Sequence, residues 1–430
     1  MSGNTNRNGY KWLALALLWV AFFLQQGTRQ VFSATLSSIQ GSLGVTSAQI
    51  GLVATVFTFA YGLSVPFAGV AADLLNRKWM VVSGVFVFCL GIFASGFVAA
   101  LGLLIVTYGL LNGFGQSFYY PSATSIIGQL HKETRATALS ILQMGLYTGI
   151  IGCSAAAGFL AESGADGWRT AFRIFGGIGI LWAVALAFLL RDTKPGGVPA
   201  VAQDAGAPAQ KPTLKEAFAV FIANPSAVML AVGLGMMIYV DVGFKTWMPS
   251  HLETTFGVTK RSAALNAVLW HYLGAFVGVT LGGRLSDRLV AKRPSVRMET
   301  NMVGLACAVP FIVWMAYAPS LAACGAAMAL FGVFRGVYDS NLMASLFDII
   351  PSRCHASGAG IMLCFGFVFG STSPVVLGLL KEQFSSSAGL ASLAAFYLAG
   401  AAVILAARWR AFKGEEASSR IMGGQRHGKV

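Results

Sequence analysis

Apolar runs of about 20 residues recur along the whole chain. They lie near 12–36, 49–72, 79–100, 102–129, 137–161 and 172–190, and again near 225–249, 263–285, 299–318, 320–348, 356–380 and 386–409. A helix of that length spans about 30 Å, the thickness of the hydrocarbon core of a bilayer. The pattern predicts an all-α membrane protein of twelve transmembrane helices, six before and six after a Pro/Gly/Ala-rich stretch from Thr193 to Pro212. A stretch of that composition buries no core and reads as a linker. The expected organisation is an N-terminal six-helix bundle over 1–191, a linker over 192–224 with a short interfacial helix from Leu214 to Ile222, a C-terminal bundle over 225–410 and a basic tail over 411–430. The first apolar run outlasts the h-region of a signal peptide and has no convincing cleavage site, so it is expected to stay as a helix.

Composition and charge sharpen this picture. Only 11% of residues are charged, against about 25% in a soluble globular chain, too few to cover a water-soluble particle of this size. The net charge of +14 is unevenly placed. Of the 30 Lys and Arg, 22 fall on one set of alternate loops and tails, including Arg77, Lys78, Arg191, Arg284, Arg288 and the C-terminal tail, whereas the opposite loops hold five. By the positive-inside rule both termini are cytoplasmic and the protein is multi-pass in the inner (plasma) membrane. The basic character therefore marks topology and lipid contact, and no nucleic-acid partner is expected. Six scattered cysteines form no C-x-x-C pair, and no His cluster has ligand spacing, so neither metal nor cofactor is expected.

The two halves repeat each other. Gly69 to Asp73 reads G-V-A-A-D and is followed by Asn76, Arg77 and Lys78; Gly283 to Asp287 reads G-R-L-S-D, 214 residues on, and is followed by Arg288. Arg135-Ala136-Thr137-Ala138 and His355-Ala356-Ser357-Gly358 open the fifth and eleventh runs, and Gly158-x-x-x-Glu162 and Gly378-x-x-x-Glu382 close them, all at an offset of 220. Such matched marks identify a duplicated six-helix unit. With G-x-x-x-D and basic residues after helices 2 and 8, the chain resembles the major facilitator superfamily along its whole length. The resemblance implies alternating access between two bundles, and it assigns Gly69, Asp73, Arg77, Lys78, Gly283, Asp287 and Arg288 to gating loops between helices. There Gly permits close helix approach and Asp meets a basic residue or a helix N-terminus. In the first copy Leu74 stands where the family has Arg or Lys.

Ionisable residues within a bilayer cost roughly 2.5–3.5 kcal/mol each on insertion scales and are functional candidates by default. Here they are Arg29, Asp241, Lys245, His271, Arg335 and Asp339. Asp241 and Lys245 are four apart, as are Arg335 and Asp339, so each pair shares a helix face and is open to two readings, a self-compensated ion pair or a working site. Arg29 has no local acid. An arginine in that position suits a carboxylate or phosphate, which offers it two acceptor oxygens. Gln30, Gln116, Tyr120, Gln143 and Tyr147, with Tyr61, Trp270 and Asn341, are polar or aromatic groups fit to orient a sugar-like anion; ordinary interhelical hydrogen bonding is the rival reading for any one of them.

Within the superfamily, Arg29, the G-x-x-Q-S-F-Y-Y-P run with Gly113, Gln116 and Pro121, and Lys132-Glu133-Thr134-Arg135-Ala136 resemble the anion:cation symporters. Thr28 and Gln116 stand where that family carries acids. The Thr28-to-Phe32 stretch, Trp247-x-Pro249 and Leu190-Arg191-Asp192-Thr193 resemble the organophosphate:phosphate antiporters. The expected function is secondary transport of a small organic anion, a sugar acid or related carboxylate, by a monomer. If a proton or another ion is coupled, Asp241 or Asp339 is expected to carry it. Sugar-phosphate exchange is the alternative and a non-transporting sensor the third. An intramembrane enzyme has no H-E-x-x-H, G-x-S-x-G or close acid pair to support it.

Overall fold

The structure is a computed structural model that describes residues 2–131, 134–164, 166–191, 214–290, 293, 295–351 and 354–412. Its first six long helices are α1 (Ser2–Leu43), α2 (Ser47–Leu74), α3 (Arg77–Ser95), α4 (Leu101–Leu130), α5 (Arg135–Ala161) and α6 (Gly167–Leu189). The second six are α7 (Pro225–Phe256), α8 (Lys260–Val290), α9 (Val296–Ala316), α10 (Leu321–Phe347), α11 (His355–Gly370, resuming as Ser373–Gln383) and α12 (Ser386–Ala411). A short helix, Leu214–Ala223, precedes α7 where the interfacial helix is expected. Residues 192–213 of the linker and 413–430 of the tail lie outside the described residues.

Of the twelve long helices, every one except α1 is long and apolar enough to cross a bilayer. The first falls short in apolarity because Gln25, Gln26, Arg29 and Gln30 sit together in its middle, and that departure marks the site described below. Helices suit the bilayer because they satisfy each backbone group internally. Side chains on the outer surface are large and apolar, as at Leu181 and Phe188, the latter 82% exposed; lipid is the solvent that tolerates them.

The two sets of six pack as pseudo-symmetric bundles. In the first, α1 packs on α5, α2 on α4, α3 on α4 and α6; in the second, α7 packs on α11, α8 on α10, α9 on α10 and α12. Adding six to each index turns one list into the other. Across the bundles α2 packs on α11 and α5 on α8, again a symmetric pair.

Small residues set the tightest of these contacts. Gly274, Gly278 and Gly282 form one stripe on α8, and Gly332 and Gly336 face it from α10. A Cβ on any of them would meet backbone or side-chain atoms of the other helix at well under 3 Å. This is close packing of the small-x-x-x-small kind, which replaces the missing hydrophobic drive between helices in lipid.

The G-x-x-x-D marks correct one expectation. They are not in loops: Gly69 and Asp73 lie in the last turns of α2, and Gly283, Asp287 and Arg288 in the last turns of α8. The helices outlast their apolar runs because a helix leaving the bilayer continues into water without penalty. Asn76 caps α3, accepting the Lys78 backbone N–H at 3.0 Å, and Arg77 opens that helix 1% exposed. Asp287 and Arg288 are exposed, and the Asp73 side chain is outside the described set. Among the described residues Gly69 also has nothing within 4 Å of where a Cβ would stand, and Gly283 only the Ser340 Cβ at 3.9 Å. The close approach expected at these glycines is not made in this conformation.

The α8–α10 contact yields a paired prediction. Gly278→Val should destabilise the protein by about 1–3 kcal/mol through overpacking, read as a lowered melting temperature in detergent, whereas Gly283→Ala should leave it unchanged. Equal melting temperatures for the two would contradict the close backbone contact.

Candidate functional site

The polar middle of α1 faces the second half of the protein across a small cavity of about 100 Å³. Gln26, Arg29 and Gln30 from α1, Phe57 and Tyr61 from α2, and Asp241 and Lys245 from α7 line it together. Both bundles therefore contribute a cation to one space.

Arg29 is held by neutral groups. Its Nε–H donates to Gln116 Oε1 at 2.5 Å, and the guanidinium lies over the Tyr61 ring at 4.5 Å and near Phe57 at 5.5 Å. Arginine only donates, so the amide must turn its oxygen toward it. Its nitrogen then donates to Asn112 Oδ1 at 2.9 Å, and Gln25 Nε2 donates to the Gln116 backbone carbonyl at 2.6 Å. Gln116 sits at a local interruption of α4. An eight-residue π-helical segment, Ile105–Asn112, precedes it, and the helix is interrupted by a turn at Phe118 before Pro121, whose ring nitrogen offers no N–H. This pins the orientation of Gln116 and, through it, of Arg29. Arg29 Nη2 is buried with no hydrogen-bond partner among the described residues, and no acid there pairs with Arg29. With Nε occupied, the free edge is the terminal one, which fits two oxygens of a planar or tetrahedral anion.

The charges opposite form one network rather than two separate pairs. Lys245 Nζ donates to Asp241 Oδ2 at 2.8 Å, Arg335 Nη1 lies 3.0 Å from Asp241 Oδ1, and Arg335 Nη2 lies 3.6 Å from Asp339 Oδ2. Arg335 Nη1 is also 3.0 Å from His271 Nε2, with geometry that directs its N–H there. That nitrogen must accept, so the imidazole is neutral. Asp241 Oδ1 is left at ion-pair distance but without a hydrogen bond. Two bases balance two acids here, and Arg29 leaves the cavity at a net charge of +1.

Not every expected residue reaches this space. Tyr147 stands at the edge, its ring 5.8 Å from Tyr272, over which Lys245 Nζ lies at 5.4 Å. Tyr120 packs on Phe22 and is 43% exposed, and Gln143 is half-buried on α5 away from the lining. Trp270 is placed elsewhere: its N–H donates to Asn266 Oδ1 one turn back, and its ring lies against Gly325 of α10. Asn341 accepts from Ser286 Oγ and donates to Ser340, joining α8 to α10. Both are packing residues because the arc of α8 and α10 that carries them faces a neighbouring helix or lipid. Phe57, Tyr108, Thr246 and Phe367 line the cavity without having been expected. For Phe57 a signal exists, since it precedes Tyr61 by four residues and shares its face.

The family model of the Major Facilitator Superfamily matches residues 18–374. The probable sulfoacetate transporter SauU of Cupriavidus necator is 25% identical over 397 residues, covering 87% of this chain and 88% of its own. The hexuronate transporter of Bacillus subtilis is 24% identical over 403 residues, covering 91% and 92%. The crystal structure of a bacterial homologue of the human lysosomal transporter Spinster, inward-facing and unoccupied, superposes with a TM-score of 0.83 at 21% identity, covering 94% of this chain and 98% of that one.

The shared use of Asp241 has a measurable consequence. Asp241→Asn strips two bases of their counter-ion and should cost about 3–5 kcal/mol, as breaking buried pairs does. Asp339→Asn, which loses one long contact, should cost clearly less. Melting temperatures of the two purified variants check the order, and a reversed order would contradict the network.

Proposed function

We propose, for a chain that belongs to the Major Facilitator Superfamily and is a multi-pass membrane transporter rather than an enzyme, that its cargo is a small organic anion anchored by Arg29. The observation that carries this reading is the oriented, acid-free guanidinium. Its neutral support leaves a full positive charge in a low-dielectric space, and its Nη2 keeps a buried donor without a hydrogen-bond partner among the described residues. An anion that enters replaces lost hydration and neutralises the cavity. The lining Gln26 and Gln30 and the ring of Tyr61 would orient the remainder of the molecule. At about 100 Å³, the space is well below the 300–1,000 Å³ of drug-sized pockets, which favours a short carboxylate or sulfonate, or the charged end of a sugar acid. The relatives named for sulfoacetate and hexuronate carry anions of this kind. Asp241 on the wall disfavours phosphate esters, which concentrate up to two negative charges on one group, whereas sulfoacetate spreads its two charges over both ends.

Both termini are assigned to the cytoplasmic side of the inner membrane, on the loop-charge asymmetry. The cavity is closed on the opposite side, where hydrogen bonds cross between bundles, such as Ser37 Oγ to Glu253 Oε2 at 2.7 Å and Lys260 Nζ to Ser38 Oγ at 2.7 Å. Among the described residues every such cross-bundle hydrogen bond lies in the half away from the termini. The closed face is thus the one away from the termini, and rocking of one bundle against the other would expose the site there. Where a proton is coupled, Asp339 is its carrier, because Asp241 is required as an anion by two bases.

Counterflow in proteoliposomes tests the assignment. Short sulfonates, hexuronates and aldonates should exchange, sugar phosphates and neutral sugars should not, and Arg29→Gln should lower kcat/KM at least about 100-fold, the loss of one charge-assisted pair. A neutral sugar as the best cargo, with Arg29→Gln unaffected, would overturn the anion reading. An inward proton gradient should speed uptake by the parent protein and not by Asp339→Asn; a parent indifferent to the gradient would refute the coupling alone.

A further inference from the structure

The Gly-x-x-x-Glu marks that close α5 and α11 take no part in the cavity, yet each touches the opposite bundle. Glu162 Oε1 accepts the backbone N–H of Arg261 at 2.8 Å, and Glu382 Oε1 accepts that of Ala48 at 2.7 Å. Arg261 and Ala48 are each the second residue of a helix, α8 and α2. Their N–H groups are among the first-turn donors that a helix cannot satisfy by itself, and the carboxylate adds an attraction to the positive helix end. One turn before each glutamate, a Cβ on Gly158 would meet Arg261 Cα at 2.7 Å, and one on Gly378 would meet Ala48 Cα at 2.9 Å. Glycine brings the backbones close enough for the glutamate to reach. Phe159 adds a ring beneath the Arg261 guanidinium, 5.7 Å away.

We infer that Glu162 and Glu382 form a symmetric pair of latches that hold the face opposite the termini closed, each acting as an N-terminal cap supplied by one bundle to a helix of the other. A cap supplied in trans exists only while the bundles touch, so its energy belongs to one access state and biases the equilibrium toward it. The glycines at the other face fit the same scheme. Gly69 and Gly283 lie at the far ends of α2 and α8, the very helices that are capped, and among the described residues neither makes a close contact. One face has its glycines engaged while the other has them open. The duplicated motif thus encodes a gate on helices 2, 5, 8 and 11, separate from the residues that bind cargo.

Distance measurement by pulsed electron spin resonance on the full chain in nanodiscs tests this without any substrate, so its outcome is independent of the anion assignment. Spin labels at Ser163 and Thr254, and in a second sample at Gly41 and Gln383, report the separation of the bundles on the latched face, with the native cysteines replaced. Glu162→Ala and Glu382→Ala should each enlarge the longer-distance population, and the double variant should raise it about threefold or more, since two charge–dipole caps are lost together. Glu162→Gln and Glu382→Gln, which keep an acceptor oxygen without the charge, should fall between, and they serve if the alanine variants do not fold. Gly158→Leu with Gly378→Leu should act in the same direction as the double alanine variant. Distributions identical to the parent in the double variant, or a response to only one of the two glutamates, would overturn the paired latch.

Discussion

A charge inside a bilayer must be compensated, and the interior of this protein follows from how each of its charges meets that demand. The four ionised groups of α7 and α10 answer it among themselves: Asp241 lies between Lys245 and Arg335, and Arg335 reaches on to Asp339 and the neutral His271. Arg29 answers it with an amide and two aromatic faces. These ease its desolvation and leave its charge intact. The difference is what sets Arg29 apart as the proposed anchor for cargo, and it places the unsatisfied positive charge at the boundary between the two bundles.

The same boundary explains the rest of the architecture. Bundles that must rock need interiors that do not, and the glycine stripe between α8 and α10 draws those helices into backbone contact. Between bundles the contacts are of another kind. Beside the packing of α2 on α11 and of α5 on α8, the hydrogen bonds between bundles among the described residues lie toward one face, as at Glu162, Glu382, Glu253 and Lys260. Single hydrogen bonds of that sort, exposed or part-buried, are each modest in net strength, so they can be exchanged for others without unfolding either half.

Much of the fold is legible in the sequence because the bilayer fixes both length and apolarity of its helices, and duplication exposes the symmetry. The site is legible in part. Arg29 and the acids and bases of α7 and α10 stand out because polar residues are rare in apolar runs. Their partners do not. The four-residue spacing reveals the pairs along a helix, but the pairing of Arg335 with Asp241 depends on how α7 is rotated against α10, which no local pattern encodes. Trp270 and Asn341 misled for the same reason: a helix apolar on all sides gives no sign of which arc faces a cavity. The reach of α2 and α8 beyond their apolar runs was hidden because a helix leaving the membrane changes composition without changing conformation. The role of Gln116 was visible as a departure, a neutral amide where the resembled symporters carry an acid, and its meaning emerges only when it is seen on Arg29.

That exchange also supplies the most direct test of the central claim. Gln116→Glu would give Arg29 an anion at hydrogen-bond distance while keeping the size and shape of the side chain. Calorimetric titration of the purified parent and variant with a hexuronate or a short sulfonate near neutral pH measures the consequence. The account predicts that the variant binds at least about tenfold more weakly, the equivalent of 1.4 kcal/mol, while remaining folded. Equal or tighter binding by Gln116→Glu would show that the charge of Arg29 is not what the cargo recognises.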